Sequence, residues 1–180
     1  TGSHLQSEAL REDDHHIIYL KSDSLHQVSQ KSSTITTWTT ESSISNTYLD
    51  VEPGGGDEFA YTKGMKLYRA LKSNGGSPVL IKDFGSIDIL GISLSFDKIL
   101  DLDWFDENKF YLVLQKGSNP VRLIEYDIAS DTSTAKATGI KEFDRLSDGQ
   151  FLGIDSSDNL IYSSSVAFSD VVTVLQSDLS

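Results

Sequence analysis

Ile99-Leu100-Asp101-Leu102-Asp103-Trp104, Phe110-Tyr111-Leu112-Val113-Leu114 and Val121-Arg122-Leu123-Ile124-Glu125-Tyr126-Asp127 are three β-rich runs. Two polar turns separate them, Asp106-Glu107-Asn108 and Lys116-Gly117-Ser118-Asn119-Pro120. Branched and aromatic side chains suit a pleated, half-buried surface, and Gly, Asn, Asp and Pro suit the reversals between such surfaces. The order strand, turn, strand, turn, strand predicts an antiparallel meander. The polar, threonine-rich stretch from Asp131 to Thr138 supplies an exposed outer strand.

The same grammar recurs on both sides of this unit. An acidic residue closes an apolar strand in Tyr48-Leu49-Asp50-Val51, in Leu102-Asp103-Trp104 and in Leu152-Gly153-Ile154-Asp155. Asp50, Asp103 and Asp155 are about 53 and then about 52 residues apart, a period of repeat architectures. The expected fold is all-β, a partial or small β-propeller of antiparallel four-stranded blades, with a β-sandwich as the alternative.

Before the central unit, Ile17-Ile18-Tyr19-Leu20, Leu25 to Val28 and Ser33 to Thr39 read as three strands of a blade's later part. Asn46 to Val51 opens the next unit, which turns at Pro53-Gly54-Gly55-Gly56-Asp57 and continues through Phe59 to Thr62 and Lys66 to Leu71. Asn74-Gly75 marks another reversal before Val79-Leu80-Ile81, and the apolar stretch from Ile87 to Phe96 leads the chain onward. After the central unit, Phe143 opens a fourth, with Ser147-Asp148-Gly149 as its turn, then Phe151 to Asp155, Leu160 to Tyr162 and Val171 to Leu175. Thr1 to His4 reads as a remnant of cloning and Leu5 to Asp14 as a linker or short helix. That places residues 1-14 outside the fold and residues 15-180 in a propeller-like domain, a fragment or half of a larger propeller.

These units resemble WD-repeat and related β-propeller blades from about His16 to the end of the chain, about three and a half units in all. Ile99 to Trp104 and Val121 to Asp127 are similar to the innermost and third strands of such a blade. The Gly-His and Trp-Asp dipeptides of the family are missing, with Tyr126-Asp127 standing nearest the second. Closed propellers use four to eight blades, so the resemblance implies that further blades come from a partner, a second copy or additional sequence. By blade style the nearest settings are the scaffold propellers of nucleocytoplasmic multi-subunit complexes, including those of the anaphase-promoting ubiquitin ligase.

Composition narrows the chemistry. There are no cysteines, which excludes disulfides, thiolate catalysis and Cys-based zinc sites. No Asn-x-Ser/Thr sequon occurs, and together these absences favour a nuclear or cytoplasmic setting. No apolar run approaches the roughly 20 residues that span a bilayer, so no membrane partner is expected. The 27 acids against 15 bases give a formal net charge of −12. Nucleic acid is a poor partner for such a surface, because binding it rests on neutralising phosphates with Lys and Arg.

Catalytic constellations are equally sparse. His15 and His16 are adjacent, and in a strand they would point to opposite faces. Gly91-Ile92-Ser93-Leu94-Ser95 lacks the closing glycine of a nucleophile elbow, and no histidine follows it. Gly54-Gly55-Gly56 lacks the lysine of a phosphate loop. The acidic runs at Asp101-x-Asp103-x-x-Asp106 and Asp155 to Asn159 lack the glycine and distal glutamate of a helix-loop-helix calcium site. No catalytic residue, metal site or cofactor is therefore expected. Trp38, Trp104, Tyr48 and Tyr111 read as rings that pack between sheets.

The expected function is that of a non-catalytic protein-interaction scaffold. Two alternatives are a propeller domain of a hydrolase or peptidase whose catalytic residues lie elsewhere, and an extracellular carbohydrate-binding or adhesion module. Binding is expected at turns that follow each unit's first strand: Gly55 and Asp57, then Asp106, Glu107 and Asn108, then Asp155, Asp158 and Asn159. Placed at corresponding points of the repeat, they would gather on one rim and receive a basic segment of a protein partner. Self-association, or pairing with missing blades, is the second mode of partnership expected.

Overall fold

The structure, a computed structural model, describes residues 10–12, 16–21, 24–29, 35–38, 48–53, 58–71, 78–146 and 148–175. No helix occurs among them. Among the described residues, four antiparallel sheets of four strands follow one another, each ordered as its strands occur in sequence. Blade 1 comprises β1 (Leu10–Glu12), β2 (His16–Lys21), β3 (Ser24–Ser29) and β4 (Ile35–Trp38). Blade 2 comprises β5 (Leu49–Val51), β6 (Glu58–Lys63), β7 (Lys66–Leu71) and β8 (Val79–Asp83). A two-stranded hairpin follows, β9 (Ser86–Ile89) with β10 (Ile92–Ser95). Blade 3 comprises β11 (Lys98–Asp106), β12 (Lys109–Gln115), β13 (Arg122–Asp127) and β14 (Thr132–Thr138). Blade 4 comprises β15 (Ile140–Arg145), β16 (Phe151–Asp155), β17 (Leu160–Ser163) and β18 (Val172–Leu175).

This is the architecture of β-propeller blades, with the strands of each sheet paired antiparallel in their sequence order. The stretch expected to be a linker contains β1, which pairs with β2 from Leu10↔Ile18 to Glu12↔His16 and completes blade 1. The stretch from Ile87 to Phe96, expected to carry the chain to the next unit, folds back on itself as the β9–β10 hairpin. Its Leu90-Gly91 turn has positive φ at both residues, 55° and 78°, as a two-residue hairpin of the primed type requires.

Successive blades begin at Leu10, Leu49, Lys98 and Ile140, so the period is irregular, about 40 residues except where the hairpin lengthens it to about 50. That corrects the acidic repeat read from sequence. Asp50 and Asp103 stand in first strands, opposite Ala60 and Tyr111. Asp155 closes β16, the second strand of blade 4, opposite Ile140. The acid at the place of Asp103 in blade 4 is Asp144, opposite Leu152 on β16 as Asp103 is opposite Tyr111 on β12. The nearly equal spacing of Asp50, Asp103 and Asp155 came from an inserted hairpin in one interval and a shift of one strand in the next.

The chain divides into two compact units, Thr1–Asp83 and Phe84–Ser180. In the first, Leu49, Phe59, Tyr61 and Ala70 form a buried cluster on one face of blade 2, with Tyr61 stacked between Phe59 at 5.8 Å and Tyr68 at 5.4 Å. In the second, blades 3 and 4 pack face to face. Tyr111, Val113 and Leu123 from blade 3 meet Phe143, Phe151 and Ile161 from blade 4, and Phe168 from the β17–β18 connection closes the cluster. Each fully buried side chain of this size contributes about 1.5 to 3 kcal/mol through removal of apolar surface from water. The opposite side of blade 3 buries Trp104, tilted on Phe110 at 4.9 Å, and Tyr126, met edge-on by Phe84 at 5.4 Å.

Candidate functional site

Of the residues expected to bind, Gly55 and Asp57 lie outside the described residues. Asp106, Glu107 and Asn108 make the tight turn between β11 and β12, as expected, after a first strand. Asp106 Oδ1 accepts the Asn108 backbone N–H at 2.9 Å, and the Trp104 indole N–H donates to the Asp106 carbonyl at 2.8 Å. A core tryptophan therefore anchors the turn, while Glu107 and Asn108 are exposed.

Asp155, Asp158 and Asn159 make the turn between β16 and β17, after a second strand. In an antiparallel meander, successive turns lie at opposite ends of the sheet. The Asp155 turn therefore does not correspond to the Asp106 turn, and the connection that does is residues 146–150, between β15 and β16. The sequence reading missed this because its acidic repeat was displaced by one strand. The Asp155 carboxylate is also occupied within its own turn. Oδ1 accepts the backbone N–H groups of Ser157 and Asn159 at 2.8 and 3.0 Å, and Oδ2 accepts from the Asn159 side-chain amide at 2.9 Å. The Asn159 side-chain bond and those backbone bonds hold its pKa below the ordinary carboxylate value. Asp158, with φ of 64°, forms a 2.6 Å ion pair with Lys141 on the first strand of the same blade. Among the described residues, no three of His, Cys, Asp and Glu come together in a way that could hold a metal ion.

The contact between blades 3 and 4 shows what this fold uses for recognition between sheets. Asp101 Oδ1 accepts the Leu102 N–H of its own strand at 2.9 Å, and Oδ2 accepts the Phe143 N–H of β15 at 2.9 Å. Arg145 lies over the Phe105 ring at 4.5 Å and donates to the Phe105 carbonyl at 3.3 Å. The Tyr111 hydroxyl donates to Glu125 at 2.7 Å, and Lys136 pairs with the same carboxylate at 3.1 Å. Burial opposes ionisation of Glu125, yet these two partners carry its pKa below the usual range, while burial and the Glu125 bond push the Tyr111 hydroxyl well up.

Blade 4 repeats the register of blade 3. Each has an irregular residue in its first strand, Leu100 in one and Lys141 in the other. Each has a second between its third and fourth strands, at Lys136 and at Val174. Aligned on these, Leu152, Ile154, Leu160 and Tyr162 of blade 4 occupy the places of Tyr111, Val113, Leu123 and Glu125 of blade 3. Val172 stands opposite Tyr162 and extends the same face. Tyr111, Val113 and Leu123 are buried by blade 4, whereas Leu152, Ile154, Leu160 and Tyr162 are only half-buried and Val172 is 59% exposed. This apolar face was not singled out from the sequence. The alternation Leu152, Ile154 and Leu160, Tyr162 was legible, but only the paired register shows that both runs share one face.

Four consecutive four-stranded antiparallel meanders define blades of the β-propeller class. Among solved structures, the chain is similar to propeller-type proteins. It matches the tricorn protease over 93% of its own length at 10% identity with a TM-score of 0.64. It matches the N-terminal domain of Nup159 over 85% at 12% identity with a TM-score of 0.54, and a chain of the mitotic checkpoint complex over 84% at 12% identity with 0.52. The chain spans 22%, 39% and 46% of the lengths of those three chains. Likeness at such identities is likeness of fold. No protein-family model matches the chain, and no curated protein matches its sequence.

Proposed function

We propose that this chain is a non-catalytic propeller segment that works as a protein-interaction scaffold, and that it does so by stacking the far face of blade 4 on a further β-sheet. The supporting observation is the placement of Leu152, Ile154 and Leu160 at the positions of Tyr111, Val113 and Leu123, through which blade 3 stacks on blade 4, with Tyr162 and Val172 extending the same uncharged face. None of the five is charged, in a chain of net charge −12. Contiguous apolar surface of this kind marks an interaction site. The covering sheet in this reading is that of a second copy, in a two-fold pairing in which each face serves both partners.

Light-scattering chromatography over a range of concentrations tests the proposal. The wild-type protein is expected to dimerise, and Leu160→Glu with Tyr162→Glu is expected to be a monomer of unchanged circular dichroism, because both side chains are only half-buried. A wild-type protein that stays monomeric up to about 1 mM, a very weak limit of about 4 kcal/mol, would overturn it.

A further inference from the structure

Between the β9–β10 hairpin and the β12–β13 turn lies a cleft of about 380 Å³, within the second unit. Its polar lining is Ser93, Ser95, Lys116, Asn119, Arg122 and Thr138, over an apolar floor of Leu94, Phe96 and Pro120. Two cations and three hydroxyls face this space and no carboxylate does, on a chain where acids outnumber bases 27 to 15. The local excess of positive charge runs against the whole molecule.

The two cations are held differently. Lys116 donates to the Ser95 hydroxyl across the cleft. Arg122 is half-buried at the start of β13, opposite Thr138 of β14, and its guanidinium has no hydrogen-bond or ion-pair partner among the described residues. The wall that carries Lys116 and Asn119 is rigidly built. The Asn119 N–H donates to the Lys116 carbonyl at 2.9 Å, the Gln115 side-chain amide donates to the Asn119 carbonyl at 3.0 Å, and the Gly117 N–H is held by the Asp97 carboxylate at 3.0 and 2.9 Å. Asp97 is thereby turned onto the backbone of the turn and is not part of the cleft lining.

A guanidinium presents a planar fork of N–H donors matched to the two oxygens of a carboxylate or phosphate. A cleft of this volume lies in the range that accepts small molecules, and its apolar floor suits an anion with an organic body. We infer that this cleft is a binding site for a small organic oxyanion, held by Arg122 and Lys116, hydrogen-bonded by Ser93, Ser95 and Thr138, and seated on Leu94, Phe96 and Pro120. The site lies on blade 3 and its hairpin, and its occupancy does not depend on what covers blade 4.

Titration with phenyl phosphate and, separately, with benzoate in low-salt buffer, followed by calorimetry and amide chemical shifts, tests the assignment. The expected result is saturable binding of at least one, with shifts at Ser95, Lys116 and Thr138, weakened at least tenfold in Arg122→Gln and in Lys116→Gln and unchanged in Lys98→Gln. Preference for phenyl phosphate names a phosphate ester as the ligand class, and preference for benzoate names a carboxylate. Circular dichroism of Arg122→Gln confirms that the sheet persists, and Lys116→Gln, at an exposed turn, gives a second reading should Arg122→Gln unfold. Absence of saturable binding, or binding equally strong in both variants, would overturn the inference.

Discussion

Asp103 is where a single residue sets a measurable property of the molecule. Its Oδ2 is buried without a hydrogen-bond partner among the described residues. Burial raises its pKa from the ordinary 3.8 to about 6, with the Arg145 guanidinium opposing the rise and Asp144 adding to it. The folded protein therefore holds this proton more tightly than the unfolded chain does. Between about pH 4 and pH 6 the native state carries the extra proton, so stability falls as pH rises through that window. A displacement of about two pH units corresponds to roughly 3 kcal/mol at most. Asp103→Asn is expected to raise the unfolding midpoint at pH 7.5 and to leave it unchanged near pH 4. Urea denaturation at the two pH values checks this, and an equal gain at both would assign the effect to packing instead. The sequence showed Asp103 as a strand acid, but the desolvation that shifts it depends on the blade packed against it, which no local pattern records.

At the scale of elements, strands were legible wherever branched and aromatic residues alternate between punctuating turns, as in β12, β13 and β16. What failed was correspondence between elements. A hairpin of two short strands looked like a connecting apolar stretch, and the acid at Asp155 looked like the acid at Asp103, because one strand's length of offset preserves the alternation while moving a turn to the other end of the sheet. β1 was hidden for a different reason: three residues of mixed polarity carry almost no periodic signal. The junction of β16 with the β17–β18 connection yields a further expectation. A Cβ at Gly153 would stand 3.0 Å from the Phe168 ring and 3.2 Å from the Glu142 carbonyl. Phe168 is buried at 8% exposure with φ of 48°, so neither the ring nor its backbone has an easy place to retreat. Gly153→Val is expected to destabilise the protein by about 1 to 3 kcal/mol, seen as a lower thermal midpoint with loss of protection at amides of β16 and β17. Val166, on the margin of the same cluster, is expected to tolerate change to Leu far better.

For the whole molecule, the sign of a salt effect separates the two modes of partnership that the sequence suggested. Docking of a basic segment on acidic turns weakens as salt rises, because screening removes its attraction. Pairing of two copies strengthens, because each carries a net charge of −12 while the face between them is uncharged. The dimer constant is thus expected to tighten severalfold between about 20 mM and 300 mM sodium chloride, measured by sedimentation equilibrium. The propeller class was legible from the repeat of turns and strands, whereas the face that bears the proposed association was not, since it exists only when two strands are set in register. The matched irregularities of blades 3 and 4, at Leu100 and Lys141 and again at Lys136 and Val174, carry one more implication. A repeat array stops growing when its last unit wears a polar outer surface, the device by which stacked modules are capped. The far face of blade 4 carries Leu152, Ile154, Leu160 and Val172 where such a cap would be polar, so its chemistry does not oppose the addition of another sheet.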